Sequence, residues 1–240
     1  MDNNYNMNQY GSFDSSYARP QLTLNRYIAR TYAWMFLGLM VTFLLAWALA
    51  ATGAVFYLFA IPSITIILLV AEIAVVLLFS ARLHKQSVGV SRVLFLVYSL
   101  LNGLVFSVYF VLFEVANLIA IFGLTALFFG AFALYGRFTK TDLSRLWPLL
   151  IGGLIFLVVA AILSMFINMT ALERIICMVG IVIFLCFTAY DNQKIKANYQ
   201  YFYHDAALLQ KASIYSAMEL YLDFINLFLY LLRFLGKAKN

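Results

Sequence analysis

Seven runs of roughly 20 apolar residues follow one another along most of the chain, at 32–51, 58–81, 93–113, 116–136, 147–167, 175–193 and 211–235. A helix crosses the hydrocarbon core of a bilayer with about 20 such residues, and a soluble fold cannot hide this many. The composition agrees. The chain has 240 residues, 65% of them hydrophobic and 11% charged, against about 45–50% and 25% in a soluble domain. The runs are unbroken, whereas a membrane β-strand alternates over about 10 residues. The expected fold class is therefore an all-α polytopic membrane protein with seven transmembrane helices. Its parts are a disordered polar and basic tail over 1–31, a membrane domain over 32–236 and a short basic end over 237–240. The connectors are short except 194–210, and no segment is large enough for a separate soluble domain.

Charge and cysteine usage narrow the function classes. The net charge is +6, but the cations stand between the apolar runs, where topology uses them, and nucleic acid is not an expected partner. Cys177 and Cys186 share one run and have no metal-ligand spacing. If the N-terminus is cytoplasmic, twelve of the 16 Lys and Arg residues lie inside and four outside, so that orientation is expected. With seven spans the basic end lies outside, unless the last span is re-entrant.

Ionisable groups within spans are costly and mark function by default. The last run carries a stripe of them. With Glu219 at zero, Asp223 falls at about 40°, Asn226 at about −20°, Tyr230 at about 20° and Arg233 at about −40° around a helix. Such a face cannot meet lipid and must look into the bundle or a wet cavity. Asp191 ends the sixth run on the expected cytoplasmic side. Asp223 lies roughly 18 Å down the seventh, so the two meet only if one helix runs deeper or starts shallower than the runs suggest. Arg82, at the inner end of the second run, is a candidate partner for Asp191. Glu72 is a lone acid in mid-span, either hydrogen-bonded or lining a pathway. His84 and His204 read as solvated loop residues. Gly123, Gly130, Gly136, Gly152 and Gly153 are expected to let helices approach closely.

The run LYLDFINLFLYLLR at 220–233, with TAYDNQK ending the sixth span, YSLLNGLVFS in the third and TKTDLSRL after the fourth, resembles the Bax inhibitor-1 family, in its bacterial branch. The resemblance covers about residues 25–236. It implies six helices around a central, polar-striped seventh, and a pH-sensitive calcium leak across a bacterial inner membrane. It also implies that Asp191 and Asp223 form a hydrogen-bonded pair sharing a proton, with Arg82 the nearest candidate for a cation competing for Asp191.

The residues themselves support a mechanism of that kind. Two carboxyls held close cannot both ionise cheaply. While they share a proton they latch helices 6 and 7, and an arginine pairing with one of them weakens the latch. Ca²⁺ prefers several oxygen ligands. Asp191, Asp223, Glu219 and Asn226 offer some, enough for weak, transient contact with a permeant ion, and Glu72 is a further pathway candidate. No cofactor is expected. An enzyme is not expected either. AYD at 189–191 matches half of an intramembrane aspartyl protease signature, but LYLD lacks the glycines of the other half. Two further readings remain open: the resemblance also implies a regulatory partner of a membrane-anchored AAA protease, for which the polar tail would suit engagement, and Glu72 and Glu219 leave room for a proton-coupled transporter of another solute.

Overall fold

The computed structural model describes residues 22–81, 86–164, 166, 170–237 and 239. Among them are eight α-helices: α1 (Leu24–Ala51), α2 (Ala54–Phe59), α3 (Ile64–Ala81), α4 (Val88–Leu112), α5 (Val115–Phe138), α6 (Trp147–Ser164), α7 (Thr170–Phe202) and α8 (Ala206–Leu235). Residues 1–21 of the expected tail, Arg82 and His84 lie outside the described residues.

All seven apolar runs fall on helices, with three corrections at their edges. The run 58–81 is broken, because Pro62 brings no N–H to a helix and Ser63 takes a positive φ of 64°; α3 starts only at Ile64. Residues 24–31, expected to belong to the tail, are helical. Helix α1 begins at Leu24, since Tyr27 and Thr31 are buried while Arg26 and Arg30, which precede the apolar run, lie about 100° round the helix and are exposed and half-buried. The loop expected over 194–210 is mostly helix. Helix α7 runs on to Phe202, and α8 starts at Ala206, where Asp205 Oδ1 accepts from the N–H groups of Ala207 (2.8 Å) and Leu208 (2.9 Å). Such a cap satisfies donors that a helix start otherwise leaves free.

Helices α1, α4, α5, α6 with its preceding turn, and α7 are each long and apolar enough to cross a membrane. Helix α3 is apolar but shorter. Helix α8 stands apart because polar groups dilute its apolar run, yet it is the most buried element, with Leu209, Ile214, Leu220, Tyr221, Phe224, Leu227 and Leu232 all in the core. It packs chiefly against α7, α1, α5 and α4. The expected ring of six thus resolves into an inner ring of four and an outer pair: α3 lies on α4, and α6 on α7. Helix α3 reaches α8 through Phe79, stacked on Tyr215 at 5.9 Å. The outer pair turns rows of Leu, Ile and Val outward, including Ile66, Val70, Leu77, Ile155 and Val159, as helices facing lipid do.

Close approaches fix this arrangement. A Cβ on Gly38 would stand 2.6 Å from the Phe95 ring, and one on Gly103 would stand 3.1 Å from the Thr42 carbonyl, so α1 and α4 nearly touch. A Cβ on Gly136 would stand 2.0 Å from the Ala189 carbonyl oxygen, so α5 meets α7 backbone to backbone. Gly153 similarly faces Ile183, whereas Gly123, Gly130 and Gly152 face open space.

The helices alternate in direction. The start of α1 shares one end of the bundle with the α7–α8 connection: the Tyr199 hydroxyl donates to the Leu22 carbonyl at 2.8 Å, and Lys211 Nζ to that of Gln86 at 3.2 Å. Helix α8 is unbroken rather than re-entrant. Lys239 N donates to the Leu112 carbonyl at 2.9 Å, which ties the basic C-terminal end to the opposite end of the bundle.

Candidate functional site

The seam between α7 and α8 holds the polar residues. The two helices run antiparallel, and the register matches residues along it. At the end near α1, Asn198 Nδ2 donates to Ser216 Oγ at 3.1 Å. Next, Lys194 Nζ donates to Glu219 Oε1 at 2.5 Å and stands 4.0 Å from Asp191 Oδ1. Asp191 and Asp223 then face each other within hydrogen-bonding reach. Towards the far end Tyr230 lies against Gly180, and Arg233 Nη2 donates to Glu173 Oε1 at 3.1 Å.

Asp191 and Asp223 meet because α7 does not end at Asp191. It continues 11 residues further, about 16 Å at 1.5 Å per residue, so Asp191 sits well down the seam. Both acids are buried, at 8% and 4% exposure. Asp223 Oδ2 is buried with no hydrogen-bond donor among the described residues. Two ionised carboxylates offer only acceptors, so a hydrogen bond between this pair requires one proton.

Around the pair the site is built of neutral donors and rings. The Tyr215 hydroxyl lies within hydrogen-bonding reach of Glu219. Lys194 lies 5.5 Å from the centre of the Tyr215 ring and 5.9 Å from that of Tyr190, both within cation–π range. Beside Asp191, the Asn192 amide donates to the Thr188 carbonyl at 2.7 Å and its oxygen accepts from the Tyr32 hydroxyl. These contacts hold the α7 side of the seam while α8 supplies Asp223 and Glu219.

Asn226 turns its amide back to the Leu222 carbonyl at 2.8 Å. Glu72, on α3, has Oε1 buried without a partner among the described residues. The structure does not bring it to the aspartates. Among the described residues no three His, Cys, Asp or Glu groups converge to hold a metal ion. Lys194 is the residue the sequence reading missed. Its signal was present, because Asp191 and Lys194 are i, i+3 neighbours, but placing 194–210 in a loop removed them from one helix face.

A family model described as "Inhibitor of apoptosis-promoting Bax1" matches residues 24–240. The inner membrane protein YbhL of Escherichia coli K12 is 39% identical over 226 residues, covering 93% of this chain and 97% of that protein. An uncharacterized protein of Borreliella burgdorferi is 33% identical over 220 residues, covering 91% and 95%.

Proposed function

Because the chain belongs to the Bax inhibitor-1 family, we propose that it is a seven-span protein of the bacterial inner membrane, N-terminus cytoplasmic, that passes Ca²⁺ passively and in a pH-sensitive manner. The family and the helices make it a multi-pass membrane protein, and the name of its E. coli relative supports the inner membrane. The observation that carries the leak reading is the buried pair Asp191–Asp223, two acceptors facing each other on opposite sides of the α7–α8 seam.

With one proton between them the carboxyls bond and the seam is latched. When that proton leaves, two charges face each other with little water to screen them, and the seam is pushed apart. Lys194 sets the balance. It is committed to Glu219 at 2.5 Å but lies only 4.0 Å from Asp191, so a small swing transfers it to an ionised Asp191. The role expected of Arg82 is thereby available to a residue of α7 itself. An opened seam lines a path with the oxygens of Glu219, Asp223 and Asn226, the ligand type that Ca²⁺ prefers. Too few of them converge for a storage site, which suits passage.

The test is Ca²⁺ flux into proteoliposomes loaded with a Ca²⁺ dye, from mildly acidic to mildly alkaline pH. Wild type should leak in a pH-dependent way, and Asp191→Asn and Asp223→Asn should flatten that dependence. A folded wild type with no flux at any pH overturns the leak. Flux whose pH profile survives both substitutions overturns the latch.

A further inference from the structure

We infer that the cavity between the start of α1, the end of α5 and residues 192–196 of α7 binds the phosphate headgroup of an anionic phospholipid. The cavity has a volume of about 340 Å³. It is separate from the α7–α8 seam, and this inference does not rest on the Ca²⁺ reading. Its lining is amphipathic in the way a lipid is. Arg137 and Lys196 supply two cations and Thr139 a hydroxyl, while Leu24, Ile28 and Phe138 supply apolar walls.

Four observations point to a phosphate. First, among the described residues no carboxylate lines the cavity. Among the described residues the ion pairs are Lys194 with Asp191 and Glu219, and Arg233 with Glu173, so Arg137 and Lys196 face it without an acidic partner. Second, Thr139 Oγ1 accepts from the Thr141 N–H at 3.2 Å, which leaves its own hydrogen to donate. Third, α1 starts at the rim, and Thr23 makes no side-chain cap there, so the partial positive charge of a helix start adds to the two cations. Fourth, the site lies at the end of membrane-crossing helices, where headgroups are. Tyr32 and Asn192, hydrogen-bonded to each other, complete its lining. A headgroup would lodge there, its glycerol and acyl chains leaving past Leu24, Ile28 and Phe138. Basic clefts between helices at a membrane surface hold anionic headgroups in this manner.

The experiment uses the full chain in vesicles of phosphatidylcholine containing a minor fraction of phosphatidylglycerol. Native mass spectrometry counts the lipids that stay bound after release. Wild type should retain phosphatidylglycerol in preference to phosphatidylcholine. The double variant R137Q/K196Q should lose that preference by about fivefold for each cation removed. Both side chains are exposed, so the core is untouched, and the single variants give the same reading at half the charge should the double one fail to fold. K140Q/R145Q makes the same change of charge nearby but outside the cavity and should retain the lipid like wild type. Equal retention by R137Q/K196Q and wild type overturns the inference. So does equal loss in both double variants, which would mean diffuse surface attraction. Displacement of the lipid by millimolar inorganic phosphate would make the cavity a free-phosphate site and overturn the lipid assignment.

Discussion

The two halves of the α7–α8 seam are made by the same helices in one register, yet they treat charge in opposite ways. The half near the start of α1 gathers three acids, the buried Asp191 and Asp223 and the half-buried Glu219, around one half-buried cation, Lys194. The far half has one acid and one cation, Glu173 and Arg233, with side chains 46% and 41% exposed. The far pair is balanced and wet, so it costs little and holds little. The near cluster is unbalanced and largely removed from solvent, so each of its charges depends on its neighbours. Burial rather than pairing is what turns a carboxylate on this seam into a candidate for control.

The hardest test of that contrast is Lys194→Met. It leaves two buried acids and the half-buried Glu219 without their cation and should cost about 1.5–3 kcal/mol, read as thermal or denaturant unfolding in detergent. Lys194→Arg should recover much of the loss. A Lys194→Met protein as stable as wild type would break the comparison, because the acids would then need no cation. Next is Gly136→Ala, which drives a methyl against the Ala189 carbonyl beside the cluster and should cost about 1–3 kcal/mol in the same assay. Gly130→Ala, on the same helix and facing open space, should be neutral or stabilise by up to about 1 kcal/mol. The smallest effect is expected at the far end. A double-mutant cycle of Glu173→Gln and Arg233→Gln should give a coupling of about 0–1 kcal/mol. A coupling as large as the loss at Lys194 would erase the difference between the two halves.

The membrane class and the position of each helix but the short α2 were legible because unbroken apolar runs have few other uses. Their ends were not. Arg26 and Arg30 interrupt the run that α1 continues, and only the burial of Tyr27 and Thr31 against the bundle explains why the helix starts at Leu24. The same effect hid the site. NQKIKANYQ reads as a polar loop, but it is the overhang of α7, and with it went Lys194. The stripe on α8 was legible because 3.6-residue periodicity survives whatever it packs against. Glu219 and Asp223 therefore stood out on one face, while their partners on α7 depended on how far that helix extends. Which helices surround α8 was beyond periodicity altogether. The inner four and outer two follow from which small residues permit contact, and Gly136 and Gly130 look alike in sequence.

Gly136 has a mechanical consequence. Where backbone meets backbone no side chain can change rotamer to absorb a displacement, so along that line α5 and α7 behave as one stiff plate. Asp191 is mounted on this plate, two residues from the contact at Ala189. Any movement that parts it from Asp223 is therefore a movement of α8 relative to the plate, and its bearings are the contacts of α8 with α1: the hydroxyl pairs Thr31–Ser213 at 3.1 Å and Thr42–Tyr221 at 2.6 Å.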